Sequence, residues 1–252
     1  MSFFTADKLS INFGGIKAVD GVSFDVAQGE VFTIIGPNGA GKTTIFNLVS
    51  RIYEPTGGKL TFDGTDITNI PPHKVAALGI ARTFQNIELF EHATLLQNLL
   101  LARHTHKKSD FFSELFFTPS VRRMEVEHRE AVEKAIDFLD LQQYRDSLIV
   151  NLPYGVRKVT ELARALCTEP KLLLLDEPSS GLNVEETEDM AFWIRDIKDL
   201  LGITVLMVEH DMSLVSAVSD RVMALNYGRP LALGTPAEVQ AHPEVIRAYL
   251  GG

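Results

Sequence analysis

Apolar runs of four to six residues alternate along this chain with segments whose apolar positions recur every three or four. VFTII (31–35), LLLL (172–175) and ITVLMV (203–208) are continuous apolar stretches, the pattern of strands buried on both faces. VSFDV (22–26) alternates as a half-buried strand does, and KLTFDG (59–64) ends in an Asp-Gly turn signal. Residues Ile80 to Phe84 predict a further strand, and residues 1 to about 70 read mainly as short strands with turns between them. Helices are expected from Lys42 to about Arg51 and from Pro72 to Leu78, the second stopped by Gly79.

From about residue 88 to 168 the pattern turns helical and more polar. Ser120 is placed to cap VRRMEVEHREAVEKAIDFLDL, in which Val121, Met124, Val132, Ile136 and Leu139 form one apolar stripe. Asn183 with Glu186 makes a capping box for a helix to about Leu200, which Gly202 stops. Thr235-Pro236-Ala237-Glu238 is a second capping box, with proline at the first helical position. The α/β alternation on either side of the helical stretch predicts an α/β core interrupted by a helical insertion.

Composition narrows the field. A chain of 252 residues, 45% hydrophobic, is one domain or one domain with a subdomain and has a sizeable core. A net charge of −9 works against a duplex-binding surface, so no nucleic-acid partner is expected. The single cysteine, Cys167, allows no internal disulfide, fits a reducing compartment and reads as a small buried residue on the ARAL helix. The start, MSFFTADKLS, lacks the pattern of a signal peptide, and no run approaches the roughly 20 apolar residues that span a bilayer. The expectation is a cytosolic chain that reaches a membrane only through a partner.

The candidate chemistry begins at GPNGAGKTT (36–44), which matches G-x-x-x-x-G-K-[ST] between an apolar strand and a helix. Gly36, Gly39 and Gly41, with Pro37, Asn38 and Ala40 between them, let the backbone fold so that successive N–H groups face phosphate oxygens. The helix N-terminus adds partial positive charge. Lys42 is expected to reach the β- and γ-phosphates, the Thr43 hydroxyl to hold Mg²⁺, and Thr44 to complete the loop. KLLLLDEP (171–178) then supplies Asp176 at the carboxyl edge of a buried strand, where α/β sheets bind ligands, and Glu177 to accept a proton from water. Asp-Glu-Pro alone reads as a loop exit; the phosphate loop about 130 residues upstream gives it a chemical role.

His210, after ITVLMVE, lies at the same edge, where an imidazole contacts a γ-phosphate or positions water; the alternative is a structural histidine. Gln85, in ARTFQN, is a candidate for Mg²⁺ or the water and, taken alone, reads as a loop glutamine. Phe13, beside two glycines, is a candidate to stack on a base, although a single aromatic usually belongs to a core. His73, His92, His104, His106, His128 and His242 make no metal set.

The ordered series Phe13, GPNGAGKT, Gln85, LPYGVRK (152–158), LLLLDEP, SGLN (180–183) and His210 resembles the ATP-binding cassette (ABC) ATPases over essentially the whole chain. The resemblance implies a P-loop, RecA-like core with an N-terminal antiparallel β subdomain and a helical insertion subdomain. Residues 1–87 would hold the β subdomain and the first part of the core, 88–168 the helical subdomain, and 169–252 the remainder of the core with C-terminal helices. It implies ATP and Mg²⁺ as ligands, with Thr43, Gln85 and Asp176 on the metal side and Glu177, His210 and Gln85 in catalysis. A head-to-tail dimer follows, each ATP lying between one subunit's phosphate loop and the other's signature segment. Ser180 to Asn183 would cross that interface.

Leu152, Pro153, Tyr154 and Gly155 take the place of the signature usually written LSGGQ. Pro153 stands at the serine position and offers neither hydroxyl nor backbone N–H. Gly155 and the free N–H groups of the helix start remain, so a weaker but competent half-site is expected.

The resemblance is closer to one branch, the larger ATPase subunit of branched-chain (hydrophobic) amino-acid uptake systems. TTIFNLVSRIYEPTGG, FFSELFFTPSVRR (111–123) and HPEVIRAYLGG carry it, and that branch commonly has tyrosine at Tyr154. It implies two integral-membrane permeases, a second ATPase subunit or a second copy of this chain, an external solute-binding protein, and a place on the cytoplasmic face of the cell membrane. Phe111, Phe112, Leu115 and Phe116 fall on one helical face, fit either for a permease groove or for the subunit's own helices. The competing functions are the ATPase of a lipopolysaccharide-export or urea-uptake system, a soluble ABC protein acting on DNA or ribosomes, and a regulatory module that does not hydrolyse ATP.

Overall fold

The structure, a computed structural model, describes residues 2–83, 87–103 and 119–250. Gln85 and the FFSELFF run lie outside the described residues. The chain divides into two compact units, one formed by Met1–Gln85 with Lys171–Gly252 and the other by Asn86–Pro170.

The first unit holds two sheets. Strands β1 (Ser2–Phe13) and β2 (Ile16–Ala27) form an antiparallel hairpin, and β4 (Gly57–Phe62) and β5 (Thr65–Asp66) extend it in the order β2-β1-β4-β5. β1 and β2, at 12 residues each, are longer than the short strands expected, while β4 and β5 are short. The reason β1 escapes a period-two reading is its irregular register, which shifts between Ala6 and Leu9, with Lys8 at φ 49°. The second sheet has the order β10-β9-β3-β8-β7-β6. Its strands are β3 (Val31–Ile35), β6 (Ile80–Arg82), β7 (Leu172–Asp176), β8 (Thr204–Val208), β9 (Arg221–Asn226) and β10 (Arg229–Gly234). β9 and β10 pair antiparallel through the Tyr227-Gly228 turn, and the other pairings are parallel. As the continuous apolar runs predict, every residue of β3, β7 and β8 is buried.

Helix α1 (Lys42–Val49) joins the two sheets through one core, in which its Ile45, Phe46, Leu48 and Val49 meet Phe4, Val22, Leu60, Leu174 and Leu206. Helix α2 (Pro72–Ala77) ends where Gly79 turns back at φ 100°. In the second unit α3 (Leu95–Ala102), α4 (Pro119–Phe138) and α5 (Tyr154–Leu166) pack together. Of the expected stripe, Val121, Val132 and Ile136 are buried on α4 and Leu139 is buried just past its end, while Met124 is only partly covered. The helix already includes Pro119, so Ser120 lies within its first turn and is not the residue before it. Proline sets the helical φ in advance and has no N–H to leave unpaired, which favours the earlier start.

Back in the first unit, α6 (Val184–Asp199) opens with the Asn183–Glu186 capping box. After α7 (Met212–Val218), the Thr235–Glu238 box opens α8 (Pro236–Gln240), and α9 (Pro243–Leu250) follows. Val215, Val239 and Val245 from these three helices cover Ile35, Val222 and Ala224 on the sheet. No helix among the described residues is long and apolar enough to cross a membrane.

Candidate functional site

Parallel register gathers the candidate residues at one edge. Ile34 pairs with Val208, and Val208 pairs with Asp176, so β3, β8 and β7 end level with one another. The chain leaving β3 is the phosphate loop, β7 delivers Asp176 and Glu177, and β8 delivers Glu209 and His210. This is the carboxyl edge at which open α/β sheets bind ligands.

The glycines of the loop are required by space and by backbone angle. A Cβ on Gly36 would lie 2.2 Å from the Leu225 carbonyl oxygen, and one on Gly41 would lie 2.7 Å from that of Ala18. Gly39 and Gly41 take φ of 80° and 103°, which other residues adopt only under strain. Asn38 and Gly39 are exposed at the tip, Pro37 is half-buried, Ala40 is buried, and Thr43 is exposed with Thr44 partly covered. Lys42 is 6% exposed and donates from Nζ to the carbonyl oxygens of Gly36 (2.7 Å) and Pro37 (3.1 Å). Burial pushes its ammonium pKa down, while the carboxylates of Glu177, Asp176 and Glu209 pull it back up.

Asp176 is almost wholly buried. Its Oδ2 accepts from Arg82 Nη2 at 2.7 Å, and its Oδ1 has no hydrogen-bond partner among the described residues. Arg82 is held in turn by Asn47 Oδ1 (2.7 Å) and Ser50 Oγ (2.9 Å), at the end of α1. Glu177 takes φ 48°, in the left-handed region where a non-glycine residue is strained, and its N–H donates to the Val208 carbonyl at 2.9 Å. His210 is exposed; its Nδ1 lies 3.8 Å from Glu177 Oε2 and 3.6 Å from Glu209 Oε2, too far for hydrogen bonds.

Glu209 is absent from the sequence-based set. It is fully buried and accepts four hydrogen bonds, from Ser179 N (2.9 Å) and Oγ (2.6 Å) and from the N–H groups of His210 (2.6 Å) and Asp211 (3.0 Å). Arg82 is likewise absent from that set. Each had a signal available: a charged residue closing an apolar strand, at an edge already identified by its neighbours.

Phe13 is 43% exposed and meets the Tyr53 ring edge-on, with centroids 5.2 Å apart. It closes the β1–β2 hairpin opposite Ile16, two residues before Ala18, whose carbonyl crowds Gly41. The hairpin end therefore stands beside the phosphate loop, with a pair of aromatic rings in place of one.

In the second unit, Leu152 is buried, Pro153 and Tyr154 are exposed, and Gly155 is buried in the first turn of α5. Pro153 stands at the N-cap and caps no N–H with its side chain. The segment is fastened by Arg157, whose Nε and Nη2 donate to the carbonyls of Leu152 and Val150, both at 2.8 Å.

Residues 19–180 match the family model described as ABC transporter, and residues 229–252 match that described as branched-chain amino acid ATP-binding cassette transporter. A high-affinity branched-chain amino acid transport ATP-binding protein of Pseudomonas aeruginosa is 45% identical, with 96% of this chain and 95% of that protein covered. Its counterpart in Salmonella typhimurium is 41% identical over the same shares. Among solved structures, an ATP-binding cassette of an ABC transporter in its ADP conformation superposes with a TM-score of 0.87 at 32% identity, covering all of both chains.

Proposed function

The chain belongs to the ABC transporter family of ATP-binding proteins, and on that basis we propose that it hydrolyses ATP to drive an importer of branched-chain amino acids. The observation that carries this reading is the level register of β3, β8 and β7, which puts a lysine, three carboxylates and a histidine at one sheet edge. The amino-acid class is supported by the C-terminal match and by the relatives, which are branched-chain amino acid transport ATP-binding proteins.

Gly36 to Thr44 form the phosphate cradle, and the Phe13–Tyr53 pair offers an aromatic edge for the base. Lys42 exchanges its two carbonyl partners for phosphate oxygens. Glu177 accepts the proton of the attacking water, and the exposed His210 imidazole faces the γ-phosphate. Leu152 to Gly155, through the Gly155 backbone and the α5 N-terminus, meet the nucleotide of the second ATPase subunit.

The residues present fit Mg²⁺. Asp176 keeps one buried carboxylate oxygen without a partner among the described residues, and Thr43 is an exposed residue in the first turn of α1. A Mg²⁺ ion held by Thr43 and Asp176 would supply charge neutralisation for the β- and γ-phosphates. Gln85 completes the proposed set.

The proposed assembly is two permeases, this chain, and a second ATPase subunit or copy, at the cytoplasmic face of the membrane, served by an external binding protein. Affinity capture from gently solubilised membranes tests it. Two integral-membrane permeases and an ATPase partner are expected; ribosomal or DNA-repair partners with no membrane protein would contradict it.

A further inference from the structure

The Glu209 carboxylate has no place in the reaction just described, yet it is the most completely satisfied charged group at the sheet edge. Each oxygen carries two donors, and each oxygen's pair comes from a different loop. The Ser179 N–H and hydroxyl bind Oε1, while the N–H groups of His210 and Asp211 bind Oε2. Ser179 lies two residues after Glu177, and His210 is itself a candidate for γ-phosphate contact. One buried anion thus ties the loop that carries Glu177 to the loop that carries His210.

The tie has something to hold. Glu177 occupies a left-handed backbone conformation that persists only if its surroundings over-determine it. On its N-terminal side the restraint is the Glu177 N–H to the Val208 carbonyl. On its C-terminal side it is Ser179, locked twice by Glu209. Beyond Ser179 the loop continues the same network: Ser180 N–H returns to the Glu177 carbonyl at 3.1 Å, and Leu182 N–H to the Ser179 carbonyl at 3.0 Å. Asp211, the last donor, caps α7 through the N–H groups of Ser213 and Leu214.

We infer that Glu209 is a positioning residue for ATP hydrolysis, fixing Glu177 and His210 relative to one another through Ser179 and the 210–211 backbone. The inference rests on the proposed ATPase roles of those two residues. Glutamine at 209 has the same shape but turns one acceptor oxygen into an NH₂ group. That group opposes two N–H donors on the 210–211 side or the Ser179 N–H on the other, where only the hydroxyl can turn to accept, so at least one tie is lost.

The test is steady-state turnover of the captured complex with Glu209→Gln, Ser179→Ala, Glu177→Gln and the Glu209→Gln/Glu177→Gln double variant. Glu209→Gln should lower kcat about 10- to 100-fold, the range for removed supports of a reacting group. KM for ATP should stay within about 3-fold, since ground-state binding is untouched. In the Glu177→Gln background the same change should add less than about 2-fold, because its route of action is already lost. Ser179→Ala, which keeps the buried charge and one of the two ties, should show the same kcat-only loss at smaller size, and it guards against Glu209→Gln failing to fold. Unchanged kcat, a loss confined to KM, or full multiplicative loss in the Glu177→Gln background would overturn the inference. If the wild-type complex has no turnover, the ATPase reading fails separately. The structural half of the inference, that Glu209 fixes His210, is then decided by NMR on the full chain: Glu209→Gln should move the His210 imidazole ¹³C–¹H peak, assigned by its disappearance in His210→Gln. An unmoved peak would overturn it.

Discussion

Arg82 holds Asp176 by a 2.7 Å hydrogen bond between Nη2 and Oδ2, with the two side chains only 9% and 2% exposed. The same guanidinium grips Asn47 and Ser50 at the far end of the phosphate-loop helix, so the acid proposed for the metal side and the helix that follows the phosphate loop share one support. Removing one member of a buried pair strands the other. Arg82→Ala should therefore lower unfolding stability by about 3–5 kcal/mol, read from urea denaturation. A loss below about 1 kcal/mol, the size of a surface pair, would show that the pair is not held as described.

Glu177→Gln keeps the shape of the side chain and removes its capacity to take a proton. Turnover should fall about 10²- to 10⁴-fold, while nucleotide binding, measured by titration with a fluorescent ATP analogue, stays intact. Full turnover in this variant would remove Glu177 from the role of base.

Pro153 caps α5 without a side-chain hydrogen bond. Serine at that position adds a hydroxyl worth about 1 kcal/mol as a neutral hydrogen bond. Pro153→Ser should lower KM for ATP of the assembled complex by a few-fold. Gly155→Asp, which places a carboxylate against phosphate, should abolish turnover. If neither variant changes turnover, the segment is not a phosphate site.

Cys167 is buried at the end of α5, and burial pushes its thiol up to about 12 from 9.0. The folded pKa lies above the unfolded one, so the unfolded chain gives up its proton first as pH rises. The contribution is fully present below pH 9 and is lost between pH 9 and about 12. Alkylation by iodoacetamide at pH 8 should be negligible in the native chain and rapid in urea. Fast native labelling would contradict the burial.

The sheet edge was legible because its strands are continuous apolar runs whose ends are marked by charged residues. LLLLDE and LMVEH name the edge, and GPNGAGKT supplies the loop that makes it chemical. The two capping boxes were legible for a similar reason, since Asn183 with Glu186 and Thr235 with Glu238 close within four residues. What the pattern hides is long-range pairing. Arg82 meets Asp176 across 94 positions, and Ser179 meets Glu209 across 30, and no local period records either. β1 is hidden by its register shifts, and Tyr53 by its distance along the chain from Phe13.

The central claim is that hydrolysis by this chain drives entry of branched-chain amino acids. Its most direct test is initial uptake of labelled leucine, isoleucine and valine in cells lacking the chain, complemented by wild type or by Glu177→Gln. The account predicts that uptake is lost without the chain, restored by wild type and not restored by Glu177→Gln. Uptake that persists without the chain, or returns equally with both forms, would contradict it.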